Sequence, residues 1–158
     1  MASVYIETTI PSFYHSNRRS IQALAWRAQT RLWWDRFRGS YQLCTSDAVL
    51  EELSNAPVER AEPRLRMLDG VRVLAPRPEV ERIAEYYAGQ RLMPRTGGLD
   101  GLHVAFTSYY EVDFLLTWKC RHIANANKAE HLAVLNRRLR LPVPAMVTPY
   151  TLIPEDQP

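Results

Sequence analysis

Three apolar residues without alternation, Val4-Tyr5-Ile6, run straight into a carboxylate, Glu7. A run this short with no polar face suits a central strand of a parallel sheet, where helices cover both sides. A carboxylate closing such a strand costs several kcal/mol unless it is paired, hydrogen-bonded or metal-bound. These four residues therefore constrain both the architecture and the chemistry at one strand end.

The remaining elements alternate as a doubly wound α/β domain requires. After a turn at Pro11, helical spacing predicts one long helix from Ile21 to Phe37, whose tryptophans read as core or interface rather than a base-stacking platform. Tyr41 to Thr45 reads as the second strand, and Ser46 or Asp47 can cap a helix that carries Glu52 and ends near Asn55, before Pro57. A short arginine-laced helix over 58–68, a strand over 71–74 and a helix from Pro78 to about Leu92 follow. Beyond a break at 94–98 come a helix opening on Asp100, a strand over 114–117, a helix over 128–139 and a brief strand over 145–148. Thr148-Pro149 then reads as the cap and first position of a final turn. The organisation is one domain over residues 1–153 and a short polar tail over 154–158.

Three separated acids fall where such a fold can gather them. Ligands of an open parallel sheet bind outside the carboxyl ends of its strands, and Glu7 ends the first strand. Glu52, in the helix after the second strand, can point back over that edge, and Asp100 opens a helix whose N-terminus favours negative charge. Carboxylates gathered without bases between them repel, and Mg2+ or Mn2+ relieves that repulsion with oxygen ligands and retained waters. Each acid has a plainer reading: Asp100 as a helix cap, Glu52 as a solvated helix residue beside Glu51. Glu7, at a buried strand end, is the most telling.

Composition narrows the partners. The 158 residues carry a net charge of +3 with pI about 9.0, an excess supplied almost wholly by arginine, whose planar fork suits phosphate oxygens. Cys44 and Cys120 form no CxxC or zinc-spaced cluster and read as reduced thiols. Neither a leader pattern nor an apolar run of membrane-spanning length is present, so the expected location is the cytoplasm and no membrane partner is expected. Serine-hydrolase, zinc-protease, phosphate-loop and dinucleotide motifs are missing, as is a DxD after the first strand. His103 and His122 adjoin the acids and read as structural or as phosphate contacts; Asp113, at the start of its strand, reads as structural and facing away from them.

Three blocks carry a resemblance: Val4-Tyr5-Ile6-Glu7-Thr8-Thr9-Ile10; Ser46-Asp47-Ala48-Val49-Leu50-Glu51-Glu52-Leu53; and Asp100-Gly101-Leu102-His103-Val104-Ala105 with the stretch from Asp113 to Asn125. The last is the most specific. Over nearly its whole length the chain resembles PIN-domain proteins, and within them VapC-like toxins of bacterial and archaeal toxin–antitoxin systems. The resemblance implies a three-layer α/β/α fold with a central, mostly parallel sheet, and Mg2+- or Mn2+-dependent endonucleolytic cleavage of RNA by a metal-activated water. By position Glu7, Glu52 and Asp100 match the metal-binding acids, and Thr8 matches the hydroxyl residue that follows the first. It also implies a cognate antitoxin whose segment plugs the acidic groove.

Two departures stand out. Glu7 is one methylene longer than the usual aspartate, and Lys119 falls where aspartate or asparagine generally completes the cluster. A lysine there would either repel a second metal and weaken the enzyme, or turn outward, with His122, to bind RNA phosphate. The rival to a ribonuclease is therefore a PIN-fold binding module that holds RNA or a protein without cutting. A homodimer is expected, since an aromatic helix over 21–37 leaves apolar surface to cover.

Overall fold

The computed structural model describes residues 1–93 and 99–156; the expected break at 94–98 and the last two residues of the tail lie outside it. Five strands form one sheet in the order β3-β2-β1-β4-β5: β1 (Ser3–Ile6), β2 (Gln42–Ser46), β3 (Arg72–Leu74), β4 (Phe114–Leu116) and β5 (Ala145–Val147). Every pairing is parallel, with Tyr5 opposite Cys44 on one side and Leu115 on the other. Successive strand residues face opposite sides, and Val4, Tyr5 and Ile6 are all fully buried, so helices cover both faces. The order reverses at β1, flanked by β2 and β4, which is the crevice where such sheets bind ligands.

Most elements lie where hydrophobic spacing places them. Asp47–Ser54 forms α3, with the Ser46 hydroxyl accepting from the Val49 amide as its cap. A short helix, α1 (Thr9–Tyr14), replaces the turn expected at Pro11. Pro11 sits in its first turn, where amides have no intrahelical partner to lose.

The helix expected over 21–37 is divided. An α-helix, α2 (Ile21–Leu32), gives way to a π-helical turn over Trp33–Phe37 and a 3-10 turn over Arg38–Ser40. In α geometry the adjacent residues Trp33 and Trp34 would point about 100° apart; the widened turn buries both, together with Phe37. The indole of Trp33 donates to the Leu152 carbonyl at 2.7 Å. The aromatic surface proposed for a dimer is thus consumed inside the chain, and α2 exposes Ile21, Leu24 and Leu32 instead.

Val58–Met67 and Pro78–Gly89 form α4 and α5. The latter stops short of Leu92, because Arg91 adopts a left-handed φ of 61° and returns Leu92 to the core. Asp100–Tyr109 forms α6, and α7 (Ala126–Arg138) begins two residues before its expected start, capped by the Asn125 side chain on the Asn127 amide. Thr148 caps a final turn as expected, its hydroxyl accepting from the Tyr150 amide and its carbonyl from the amides of Thr151 and Leu152.

One contact set carries the fold into the site. Trp118, just past β4, is buried, stacks on Trp26 at 4.5 Å between centroids and 11° between planes, and donates its indole N–H to Thr30 Oγ1 at 2.7 Å. Trp118→Ala is expected to cost about 3–5 kcal/mol in urea unfolding; a loss below about 1 kcal/mol would show that this wedge does not hold the β4 exit.

Candidate active site

Glu7 emerges from β1 with no exposed surface, and the chain supplies what its carboxylate demands. Oε1 accepts from the hydroxyls of Thr9 and Thr117, each at 2.6 Å, and Oε2 accepts from the Thr9 amide at 3.0 Å. Both hydroxyls are used twice. Thr9 Oγ1 accepts from the Trp118 amide at 2.8 Å and Thr117 Oγ1 from the Lys119 amide at 3.0 Å. The β1 carboxylate thereby fixes the backbone that leaves β4.

Glu52 comes from α3, its side chain 24% exposed. Its Oε1 accepts from Thr8 Oγ1 at 2.9 Å and meets His103 Nε2 at 2.5 Å. Behind it runs a buried chain: His103 Nδ1 lies 2.7 Å from the Tyr5 hydroxyl, which lies 2.6 Å from Ser46 Oγ. With the imidazole proton on Nε2, every group in this chain is satisfied. His103 donates to Glu52, Tyr5 to Nδ1 and Ser46 to Tyr5, while Ser46 Oγ also accepts from the Val49 amide. Burial pushes the Glu52 carboxyl upward, but His103, the Thr8 hydroxyl and the Lys119 ammonium outweigh it and hold the group below the usual carboxylate range. Burial, and the nearby charges of Glu7 and Glu52, push the Tyr5 phenol well up against the lowering effect of Ser46, so it acts as a neutral donor.

Asp100 is the first residue of α6 rather than its cap, and it is buried. Its Oδ1 pairs with the Lys119 ammonium. Lys119 therefore points into the cluster, which settles the alternative of an outward turn. Burial works against its charge, but the bond to Asp100 and the charges of Glu7, Asp100 and Glu52 outweigh it and raise its pKa. All three acids lie within electrostatic reach of this lysine.

Thr8 is drawn in through Glu52, whereas His122 stands exposed on the turn beyond Lys119. Asp113 accepts from the amide and hydroxyl of Ser3 at the opposite edge of the sheet. Tyr5, Thr9, Thr117, the bond of Ser46 to Tyr5 and the inward role of His103 were not singled out from the sequence. The signal for His103 was present: three residues beyond Asp100 on one helix, it shares a face with it.

The donor set answers whether a hard divalent ion fits. Among the described residues Glu52 Oε2 and Asp100 Oδ2 accept no hydrogen bond, and carboxylate oxygens are the ligands Mg2+ and Mn2+ take. The cluster already holds one cation, the Lys119 ammonium. The residues fit such an ion in kind, with Lys119 as its competitor; among the described residues no three acids, histidines or cysteines stand together as a ready metal cage.

Comparison with known proteins places the fold. No protein-family model matches the chain, and no curated protein matches it. Among solved structures it is similar to VapBC2 from Rickettsia felis bound to a DNA fragment from their promoter, with TM-score 0.52 and 14% identity over 92% of this chain and 98% of that one. It is also similar to FitAcB from Neisseria gonorrhoeae, with TM-score 0.55 and 13% identity over 94% and 99%. The molecule is an α/β protein whose all-parallel five-stranded sheet has the PIN-like fold of these neighbours. The resemblance to PIN-domain, VapC-like proteins is borne out in that fold.

Because the Glu52 carboxyl is held low in the folded protein, its stabilising contribution is present above its unfolded pKa of about 4.3 and is lost as pH falls through the lower folded value. In EDTA, Glu52→Gln is expected to unfold about 1–3 kcal/mol more easily at neutral pH, with the deficit shrinking toward pH 3. A deficit that widens on acidification would exclude this account of Glu52.

Proposed function

We propose that this protein is a divalent-metal-dependent endoribonuclease of the toxin–antitoxin type, acting on RNA phosphodiesters in the cytoplasm with a cognate antitoxin as partner. The placement of Glu7 at the strand-order reversal of a PIN-like sheet, with Asp100 bonded to Lys119 and Glu7 and Glu52 within electrostatic reach of that lysine, carries this reading. Glu52 and Asp100 offer the open oxygens that would hold Mg2+ or Mn2+, with Glu7 behind them. Such an ion supplies Lewis-acid stabilisation of phosphate charge and acidifies a water.

The chain's own groups do the positioning. Thr9 and Thr117 hold the Glu7 carboxylate still, while the Ser46–Tyr5–His103 chain and Thr8 hold Glu52. Lys119 holds Asp100 through its ammonium.

RNA is further supported by a cleft of about 180 Å3 between α1 and α4, lined by His15, Arg18, Arg60 and Arg64. Burial, then repulsion from Arg31 and Arg64, lowers the His15 pKa. Arg64 Nε is buried there without a hydrogen-bond partner among the described residues. Arginines with no acidic partner among the described residues suit a phosphate backbone. The antitoxin is supported by the fold shared with VapBC2 and FitAcB.

The binding-module reading has its own observation, the Lys119–Asp100 ion pair, which takes up an oxygen that a metal would use. Cleavage of a mixed RNA panel in Mn2+ and Mg2+ separates the two. Metal-dependent cleavage is expected in the native chain and a fall of at least about 100-fold in Asp100→Asn, since even outer-shell partners of metal ligands are worth 10- to 100-fold. Equal cleavage by both would mean contamination, and none by either would favour the binding module. The proposed homodimer, now resting on Ile21, Leu24 and Leu32, predicts a light-scattering mass near twice 18.3 kDa; the monomer mass across micromolar concentrations removes it.

A further inference from the structure

We infer that the ammonium of Lys119 is the resident cation of the carboxylate cluster, and that a divalent ion gains Asp100 only by displacing it. The inference rests on the metal-site reading above and deepens it, making metal loading a competition with a tethered charge.

The aim of Lys119 is built into the backbone. Its amide is held by Thr117 Oγ1, and its carbonyl accepts from the amides of Ile123 and Ala124, each at 2.9 Å. The preceding residue is locked by the stacking of Trp118 on Trp26 and by its amide bond to Thr9. With Trp118 turned into the core, the next side chain is sent over the cluster. The hydroxyls that hold these two amides give their protons to Glu7, so the fixing of the first acid and the aiming of the lysine are one hydrogen-bond system.

The three acids are compensated unequally. Among the described residues Glu7 is held by two hydroxyls and an amide, without a cation bonded to it. Glu52 is held by Thr8 and His103. Asp100, at 6% side-chain exposure, bonds the Lys119 ammonium. A buried carboxylate that loses its partner is strongly destabilised, so an ion arriving at Asp100 must replace what the lysine gave.

Departure is open to Lys119, since its side chain is 29% exposed and a flexible four-carbon stem lets a compact ammonium swing to water. Among the described residues three carboxylates stand against one ammonium, a negative balance that attracts a divalent ion, and Asp100 is where the two cations exclude each other.

Mn2+ binding by calorimetry, with the full chain as wild type, Lys119→Met and Lys119→Arg, tests this. Lys119→Met is expected to bind Mn2+ at least tenfold more tightly than wild type, about 1.4 kcal/mol, while Lys119→Arg, which keeps the charge, stays with wild type. Equal affinity in wild type and Lys119→Met overturns the inference, as does an equal gain in Lys119→Arg. Should Lys119→Met fail to fold without metal, wild type labelled with 15N-lysine gives the answer by NMR. Saturating Mg2+ must speed hydrogen exchange at the Lys119 ammonium, and an unchanged signal overturns the inference. RNA cleavage by the same proteins keeps the two readings apart. A Mn2+ gain with RNA left uncut by every form removes the nuclease and leaves the displacement standing; cut RNA with equal Mn2+ affinities removes the displacement alone.

Discussion

A carboxylate with no access to water at the end of the central strand is the constraint around which this protein is arranged. Glu7 could be buried only if donors were brought to it, and the donors come from α1 and from the exit of β4. Sequence-distant segments are thereby tied at the one place where the strand order reverses. Deleting the charge would release more than a side chain, because Thr9 and Thr117 each hold a backbone amide with the same oxygen that serves Glu7. Hydroxyls suit this work because each can donate and accept at once.

A second layer of order lies beneath Glu52. Tyr5 and His103 are both fully buried, so the position of an acid at the rim is set by polar groups in the core. Buried networks of this kind are costly when half-made and rigid when complete. Here the chain ends at the Val49 amide of α3, the helix that carries Glu52 itself, so the carboxylate is braced from its own helix through the sheet and α6.

Much of this was legible in the residues. The unalternating run at Val4-Tyr5-Ile6 predicted a strand covered on both faces, and the sequence placed Glu7 just past that strand, Glu52 on the helix after β2 and Asp100 at a helix start, where the structure has them. What sequence reasoning missed has physical causes. Hydrophobic spacing registers the face of a helix but not a change of pitch, so the π turn at Trp33–Phe37 was read as more α-helix. A proline reads as a break, although Pro11 sits where a missing amide costs nothing. The inward aim of Lys119 depends on where Trp118 is wedged, which is a matter of packing between residues more than eighty positions apart. Threonines that bond a carboxylate carry no periodic signal at all.

The sheet ends at its two borders in strands of three residues each, β3 and β5, and Pro142, Pro144 and Pro149 bracket the latter. Long, flat edges are what invite another chain to extend a sheet. An extended peptide arriving at either border of this one would find only a few backbone groups to pair with before the chain turned away. Growth of the sheet from molecule to molecule, the usual hazard of an all-parallel core, is closed off by brevity at the margins.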